Sequence, residues 1–152
     1  MNLQTFLLQS IPQATADLEA ALLRLPEAKR AWSAGGDARS ALDMVAEVAI
    51  LNGDTADIVR TRNGMVNFDL EALNRRKSAL YSDWPALQTL LHDNTTRVVE
   101  VIGTLADEDL DVEVPMPWGA MTIAQLIEYP YWNAKYHEGQ INFIASMLGC
   151  LK

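Results

Sequence analysis

Apolar residues recur every three or four positions along almost the whole chain, and this spacing limits the fold more than any other feature. The clearest stripe contains Leu87, Leu91, Val98 and Ile102. Such a period is typical of amphipathic helices and not of strands. With 152 residues, 49% of them hydrophobic, the chain can bury a core. We therefore predict one all-α domain over 1–152, a four-helix bundle whose long crossing connections make it other than simply up-down-up-down.

The first helix has two possible starts. Ser10, Pro12 and Gln13 form a typical helix start, with Ser10 as N-cap and Pro12 near the first position, so we expect the helix to begin there. The apolar segment 3–8 predicts an earlier start, because forming the first turns of this helix is the preferred interpretation of that segment. That segment could also dock on a partner subunit. Pro26 is expected to end or interrupt the helix.

Cap signals mark the central elements. Ser40, with Asp43 three residues on as its capping-box partner, predicts a second helix that runs to about Arg60. Residues 67–80 predict a short amphipathic helix within a long crossing connection. The Asp-Trp-Pro sequence at 83–85 predicts the start of a third long helix.

The C-terminal part of the chain predicts one more long helix. A polar, acidic stretch at 106–120 is expected to cross the bundle and lead into it. Thr122 and Gln125 form another capping box, and the helix should run to about Leu148. Pro130 lies inside the predicted helix and removes one backbone hydrogen bond, so we expect a kink just before it.

Charge and composition exclude several classes of partner. The formal net charge is −8 and the isoelectric point is about 4.6, which argues against nucleic acid and against an anionic membrane surface. No apolar run approaches the roughly 18 residues of a transmembrane helix. The first residues lack the basic start and cleavage site of a signal peptide. The one cysteine, Cys150, excludes an internal disulfide framework and a multi-cysteine metal site, so we expect a cytoplasmic protein.

One charge stands inside an otherwise apolar run. In MVAEVAIL (44–51) the only polar side chain is that of Glu47, whose helical neighbours are apolar, so its face is expected to point into the bundle. A buried carboxylate costs several kcal/mol unless it is paired or bound to a metal. Glu47 therefore requires a partner from another helix.

The last helix offers that partner. His137 shares a core-facing 3–4 spacing with Ile141 and Ile144, and Asn133 lies one turn before it. These two side chains and Glu47 could converge on one point, and a pair four residues apart plus one group from a neighbouring helix is a common way for a bundle to hold a metal. Two alternatives stay open, a direct Glu47–His137 ion pair without metal and a histidine that is simply satisfied in the core.

The same positions resemble the motifs of the DinB/YfiT-like superfamily of four-helix bundles. In that family a Ser or Thr cap is followed by an acidic residue three positions on and a histidine seven positions on. Here these positions hold Ser40, Asp43 and Glu47. The family's last helix reads His-x-x-x-His-x-Gly-Gln-Ile, whereas this chain reads Asn133-Ala-Lys-Tyr-His137-Glu-Gly-Gln-Ile. Two of the three usual histidines are thus replaced.

The resemblance implies a site, a cofactor and a set of activities. The family's histidines bind a divalent metal such as zinc or nickel, so it implies a degenerate metal site at Glu47, Asn133 and His137. The segment 68–76 is similar to the connection in the branch that includes mycothiol-dependent maleylpyruvate isomerases. The implied activity is metal-dependent hydrolysis, or thiol-dependent transfer or isomerisation, of a small molecule. Family members often form homodimers. The alternative is a non-catalytic bundle that has lost its metal and binds a small ligand or acts as a dimeric interaction protein.

Four aromatic residues are candidates for the walls of a pocket. Tyr129, Trp132 and Tyr136 lie near the candidate site on the predicted last helix, and Trp118 lies in the stretch that crosses before it. Ordinary packing of these rings is the alternative interpretation.

Overall fold

Four long helices form the body of the protein, as predicted. The computed structural model describes residues 2–151. The long helices are α1 (Leu3–Arg24), α2 (Ala41–Thr61), α4 (Trp84–Gly103) and α5 (Ile123–Met147). A short helix, α3 (Leu70–Ser78), lies between α2 and α4, and the strands β1 (Glu113–Met116) and β2 (Gly119–Thr122) lie between α4 and α5.

The helices are not packed in chain order. Both α1 and α2 pack chiefly against α4 and α5, so α1 and α2 lie on one diagonal of the bundle and α4 and α5 on the other. The connections 25–40 and 104–122 therefore cross the bundle. The connection 62–83 was predicted to cross as well, and that prediction is wrong, because it joins the neighbouring helices α2 and α4. The two crossing connections confirm a bundle that is not simply up-down-up-down.

Of the two predicted starts of α1, the one at Ser10 is wrong and the earlier one, in the apolar segment 3–8, is confirmed. The helix begins at Leu3, where the Asn2 side chain accepts a hydrogen bond from the backbone N–H of Thr5 at 2.9 Å, and Pro12 lies inside the helix. A proline in a helix interior costs about 3 kcal/mol. Leu7 and Ile11 are fully buried, and each apolar side chain contributes about 1.5–3 kcal/mol, which offsets that cost. Burial therefore outweighs the local start signal.

The cap of α2 is half of what the sequence predicted. Ser40 is the N-cap and accepts a hydrogen bond from the backbone N–H of Asp43 at 3.2 Å. The carboxylate of Asp43 does not complete the box. It turns instead to Arg39, Lys77 and Tyr81. This residue belongs to a charged cluster that the capping interpretation missed.

A β-hairpin occupies part of the stretch that was predicted only to cross the bundle. β1 and β2 pair antiparallel, with Met116 opposite Gly119, whose φ of +119° suits a residue without a side chain. The hairpin lies very close to the α2–α3 connection. A Cβ on Gly64 would come within 1.7 Å of the carbonyl oxygen of Pro115, so only glycine permits this approach.

The last helix begins as predicted. The Thr122 side chain accepts from the backbone N–H of Gln125 at 3.3 Å, and the Gln125 side chain accepts from the N–H of Thr122 at 2.9 Å. Pro130 lies inside α5, which continues to Met147. The kink near Pro130 stays a prediction. Within residues 2–151, no helix combines the length and the apolar character needed to cross a membrane.

Candidate functional site

The candidate site is centred on Glu47, on the inner side of α2. Its Oε1 is 3.1 Å from Nε2 of His137 on α5. Its Oε2 is 2.7 Å from Nη2 of Arg39, which comes just before the N-cap of α2, and 3.9 Å from Nζ of Lys77 on α3. The charge inside the apolar run is therefore neutralised by groups from the α1–α2 connection, α3 and α5.

His137 is almost completely buried and contacts a second side chain of its own helix. Its Nδ1 is 2.6 Å from Oε1 of Gln140, while Nε2 faces Glu47. Carboxylate and amide oxygens only accept hydrogen bonds, so these contacts require a proton on both ring nitrogens. A neutral ring satisfies both only if the Gln140 amide turns to donate. Either way the ring is held from both sides.

Asn133 lies one turn before His137 but makes no contact of this kind. The residue is 1% exposed, and its Nδ2 has no hydrogen-bond partner among the described residues. A buried, unpaired amide group costs about 1–3 kcal/mol. This is the one buried side-chain nitrogen or oxygen within residues 2–151 without a partner. Its position beside the charged cluster marks a place where a ligand could be bound.

A second carboxylate completes what we call the charged cluster: Arg39, Asp43, Glu47, Lys77 and His137. Lys77 Nζ is 2.9 Å from Oδ1 of Asp43, and its side chain is only 6% exposed. Arg39 bonds both carboxylates, and the Tyr81 hydroxyl donates to Asp43. Two acidic and two basic side chains thus cancel each other before the charge of the histidine is counted.

The surroundings favour the ionised form of both carboxylates. Burial raises the pKa of Glu47, but the hydrogen bond from His137 and the charge of Arg39 outweigh it, so the pKa lies below its ordinary value. The same holds for Asp43, where burial is outweighed by hydrogen bonds from Tyr81, Lys77 and Arg39. Burial and the bond to Asp43 raise the pKa of Tyr81, which therefore stays a donor.

A cavity of about 290 Å³ opens beside Glu47. Its walls come from α2, the α2–α3 connection, α3, the hairpin and α5, and they are mostly apolar: Leu51, Ile58, Met65, Phe68, Leu70, Leu73, Met116, Trp118, Met121 and Leu126. The polar side chains on the walls are Glu47, Asp54, Thr55 and Tyr129. Burial and the charge of Glu47 raise the pKa of Tyr129 to about 12, so its hydroxyl stays protonated at neutral pH.

The four aromatic candidates for pocket walls fall into two groups. Tyr129 and Trp118 line the cavity, and Trp118 lies edge-to-face against Phe68 with ring centres 6.4 Å apart. Trp132 and Tyr136 lie on the outer face of α5, each about half exposed, with rings stacked at 5.1 Å. Tyr136 borders a shallower cleft next to Arg39. Only the first group can contact a molecule in the cavity.

Sequence reasoning missed the two cations of the charged cluster. Lys77 follows Leu73 by four residues on α3, and both are buried, so a lysine on the apolar face of an amphipathic helix was a usable signal. The sequence holds no such signal for Arg39, because this residue precedes α2 and helical periodicity cannot predict which way its side chain faces. Its position depends on how the α1–α2 connection crosses the bundle.

The arrangement does not suit a divalent ion. Within residues 2–151 no three His, Cys, Asp or Glu side chains converge at metal-binding spacing. Of the three candidate ligands, Asn133 offers a neutral amide, and the second oxygen of Glu47 is taken by Arg39. A divalent ion at Glu47 would also lie near the ammonium of Lys77. The donor set as it stands therefore does not fit the metal that the resemblance implies.

Comparison with known proteins settles the fold. No family model and no curated protein sequence matches the chain. Among solved structures, it is similar to YfiT from Bacillus subtilis, described as a probable metal-dependent hydrolase with an unusual four-helix bundle topology. The TM-score is 0.80 at 15% identity, over 96% of this chain and 87% of YfiT. The chain has the DinB/YfiT-like fold.

Two other solved structures share this fold. A mycothiol-dependent maleylpyruvate isomerase matches with a TM-score of 0.72 at 15% identity, over 93% of this chain and 61% of the isomerase. The colibactin self-resistance protein ClbS, solved in complex with double-stranded DNA, matches with a TM-score of 0.65 at 17% identity, over 94% of this chain and 95% of ClbS. Proteins described by three different roles thus share this architecture, so the fold alone does not assign an activity.

Proposed function

We propose that the protein binds a small, mainly apolar molecule in the cavity beside Glu47. The observation that carries this proposal is the cavity itself, about 290 Å³ with mostly apolar walls and a carboxylate at one end. Ligand sites typically combine an apolar lining with a few polar groups that fix orientation.

The walls indicate the kind of molecule. Met65, Met116 and Met121 provide flexible, polarisable side chains that adapt to an irregular apolar body. Glu47 already contacts His137 and Arg39, but a carboxylate can accept more than two hydrogen bonds. A compact molecule with an aromatic or aliphatic body and one hydrogen-bond donor therefore suits the site.

Binding of N-phenyl-1-naphthylamine, a neutral fluorescent probe with one N–H donor, tests the proposal. We expect saturable binding to the wild-type protein and its loss in Leu51→Trp, which fills the cavity. Leu23→Trp, on a half-exposed residue of α1, is the matched control and should bind as the wild type does. Absent binding, or equal binding by Leu51→Trp, would overturn the proposal.

A competing function is metal-dependent hydrolysis, or thiol-dependent transfer or isomerisation. In that case Glu47, Asn133 and His137 would hold one divalent ion, zinc or nickel. The position of Asn133, one turn before His137, favours it, although only its Oδ1 could face an ion, since the unpaired Nδ2 is a hydrogen-bond donor. It also requires the Arg39 guanidinium to leave Glu47. Binding of one zinc or nickel ion per chain, lost in His137→Ala, would support this function, and calorimetry measures it.

A homodimer is part of the proposal, and the outer face of α5 supports it. Trp132, Tyr136, Phe143 and Met147 are each more than half exposed, and their spacings of four, seven and four residues read the same in both directions. In a two-fold antiparallel pairing of this face, Trp132 would face Met147 and Tyr136 would face Phe143 of the partner helix. Gly139 lies at the centre of this face, where an added Cβ would meet nothing within 4 Å, so a second helix can approach.

Light scattering after size exclusion tests this interface. We expect the wild type to be dimeric and Phe143→Asp to be monomeric. Leu23→Asp, on the half-exposed side chain of α1, should leave the dimer intact. A monomeric wild type, or equal behaviour of the two variants, would contradict the interface.

For nucleic acid we propose no role, since the net charge of −8 opposes phosphate binding.

A further inference from the structure

We infer that Arg39 and Lys77 take the place of the divalent ion, so that the charged cluster is a site held together by built-in cations. Both basic groups converge on the same two carboxylates. Asp43 and Glu47 lie four residues apart on one face of α2. Arg39 contacts both, and Lys77 lies 2.9 Å from Asp43 and 3.9 Å from Glu47.

The two cations reach the cluster from segments outside the long helices. Arg39 comes from the α1–α2 connection, and Lys77 comes from α3 within the α2–α4 connection. Lys77 is the only buried lysine or arginine among the described residues. Lysine is almost never buried unless it is paired, so its position reflects the two carboxylates that it faces.

The charges explain why a metal would be disfavoured. The two acidic and two basic side chains are balanced, so an added divalent ion would leave the cluster with an excess of two positive charges. The ion would also compete with Arg39 for Oε2 of Glu47. Because Lys77 is almost shielded from solvent, water screens its repulsion only weakly.

The same geometry predicts what happens when the cations are removed. Without Arg39 and Lys77, the carboxylates of Asp43 and Glu47 would lose their basic partners, while Glu47 would keep its contact with His137 and its Oε2 would be free to face an ion. Carboxylate and imidazole are suitable zinc ligands, and the ion would neutralise the two negative charges. Removing two positive side chains should therefore create metal affinity where the wild type has little.

Zinc titration of a double variant, Arg39→Met with Lys77→Met, tests the inference. We expect it to bind one zinc ion per chain roughly tenfold tighter or better than the wild type, because an uncompensated charge is costly to bury. Zinc should also raise its melting temperature. Arg60→Met with Arg75→Met is the control, since it removes the same charge from exposed positions on α2 and α3. Adding Glu47→Gln to the first variant should abolish the gain.

Three outcomes would overturn the inference. The wild type could bind zinc as tightly as the double variant, the folded double variant could show no gain, or the control could gain equally. If the double variant does not fold, Lys77→Met alone decides by the same titration, with a gain over the wild type expected and no gain counting against the inference. A ligand in the cavity is not needed for any of these results.

Discussion

Two of the polar clusters inside the bundle have their hydrogen-bonding groups satisfied in different ways. The first, which we call the neutral cluster, consists of Thr15, Asn52 and Thr95. Asn52 Nδ2 donates to Thr95 Oγ1 at 3.1 Å, and Thr95 Oγ1 donates to the backbone carbonyl of Leu91 in the same helix. The hydroxyl of Thr15 lies 3.4 Å from that of Thr95. All of its side chains come from long helices. Glu47 of the charged cluster precedes Asn52 by only five residues on α2. Its basic partners Arg39 and Lys77 nevertheless come from segments between the long helices.

The difference separates a cluster that serves helix packing from one that borders a cavity. The neutral cluster closes on itself and lines neither the cavity beside Glu47 nor the cleft next to Arg39. The charged cluster leaves Asn133 unpaired beside it and presents Glu47 to a cavity. A polar cluster that only joins helices has no need to border a cavity, whereas a cluster that borders a cavity is able to contact a molecule inside it. Equivalent substitutions in the two clusters test this difference.

The largest effect is expected from Glu47→Ala. This change leaves His137 without its carboxylate and Arg39 with Asp43 alone, and breaking a largely buried pair costs about 3 kcal/mol or more. Urea unfolding measures the loss. Glu71→Ala, on a fully solvated carboxylate of α3, should change stability by less than about 0.5 kcal/mol. A loss at Glu47 as small as this would mean that the charged cluster does not stabilise the fold.

Acid should weaken the charged cluster and spare the neutral one. The pKa values of Glu47 and Asp43 are lower in the folded protein than their ordinary values of 4.5 and 3.8. Their stabilisation is therefore complete above those ordinary values and is lost as pH falls through the lower folded values. Glu47→Gln with Asp43→Asn should flatten the decline in unfolding free energy below about pH 4.5, whereas Asn52→Ala should not. A decline of unchanged steepness in the double variant would contradict this account.

A smaller loss is expected from Asn52→Ala in the neutral cluster. The change removes the bond to Thr95, which keeps its bond to Leu91, so we expect a loss of about 1–2 kcal/mol. Urea unfolding again gives the value. A loss as large as that of Glu47→Ala would remove the distinction between the two clusters.

The smallest effect is expected from Asn133→Ala. Its Nδ2 has no partner to lose, so the unfolding free energy should change by less than about 1 kcal/mol or even rise. Asn52→Ala is the matched comparison, since both are amides that are 1% exposed. A loss above about 2 kcal/mol at Asn133 would show that the amide is paired in the free protein.

The sequence predicted the bundle, the short helix α3, the caps at Ser40 and Thr122 and the side of α5 that bears His137. These follow from periodic burial and from caps, which are local signals. The Glu47–His137 contact was one of the alternatives that the spacing left open, and the 3.1 Å distance matches direct pairing. The hairpin was missed because Pro115 and Pro117 and an acidic surround disfavour a strand locally.

The remaining features depend on tertiary structure. The start of α1 is set by burial of Leu7 and Ile11, which outweighs the cap signal at Ser10. Arg39 reaches Glu47 only because a connection crosses the bundle. The size of the cavity depends on how the hairpin meets the α2–α3 connection, which involves residues far apart in the chain.

That last contact has a consequence for how ligand preference can change. Gly64 lets the hairpin approach to within a distance that any side chain would prevent. Its neighbour Met65 and the hairpin residue Met116 face the same cavity from opposite segments. The size of molecule admitted is thus governed by a residue that lines no wall. Variation at Gly64 can alter which compounds fit while every cavity-lining residue stays the same.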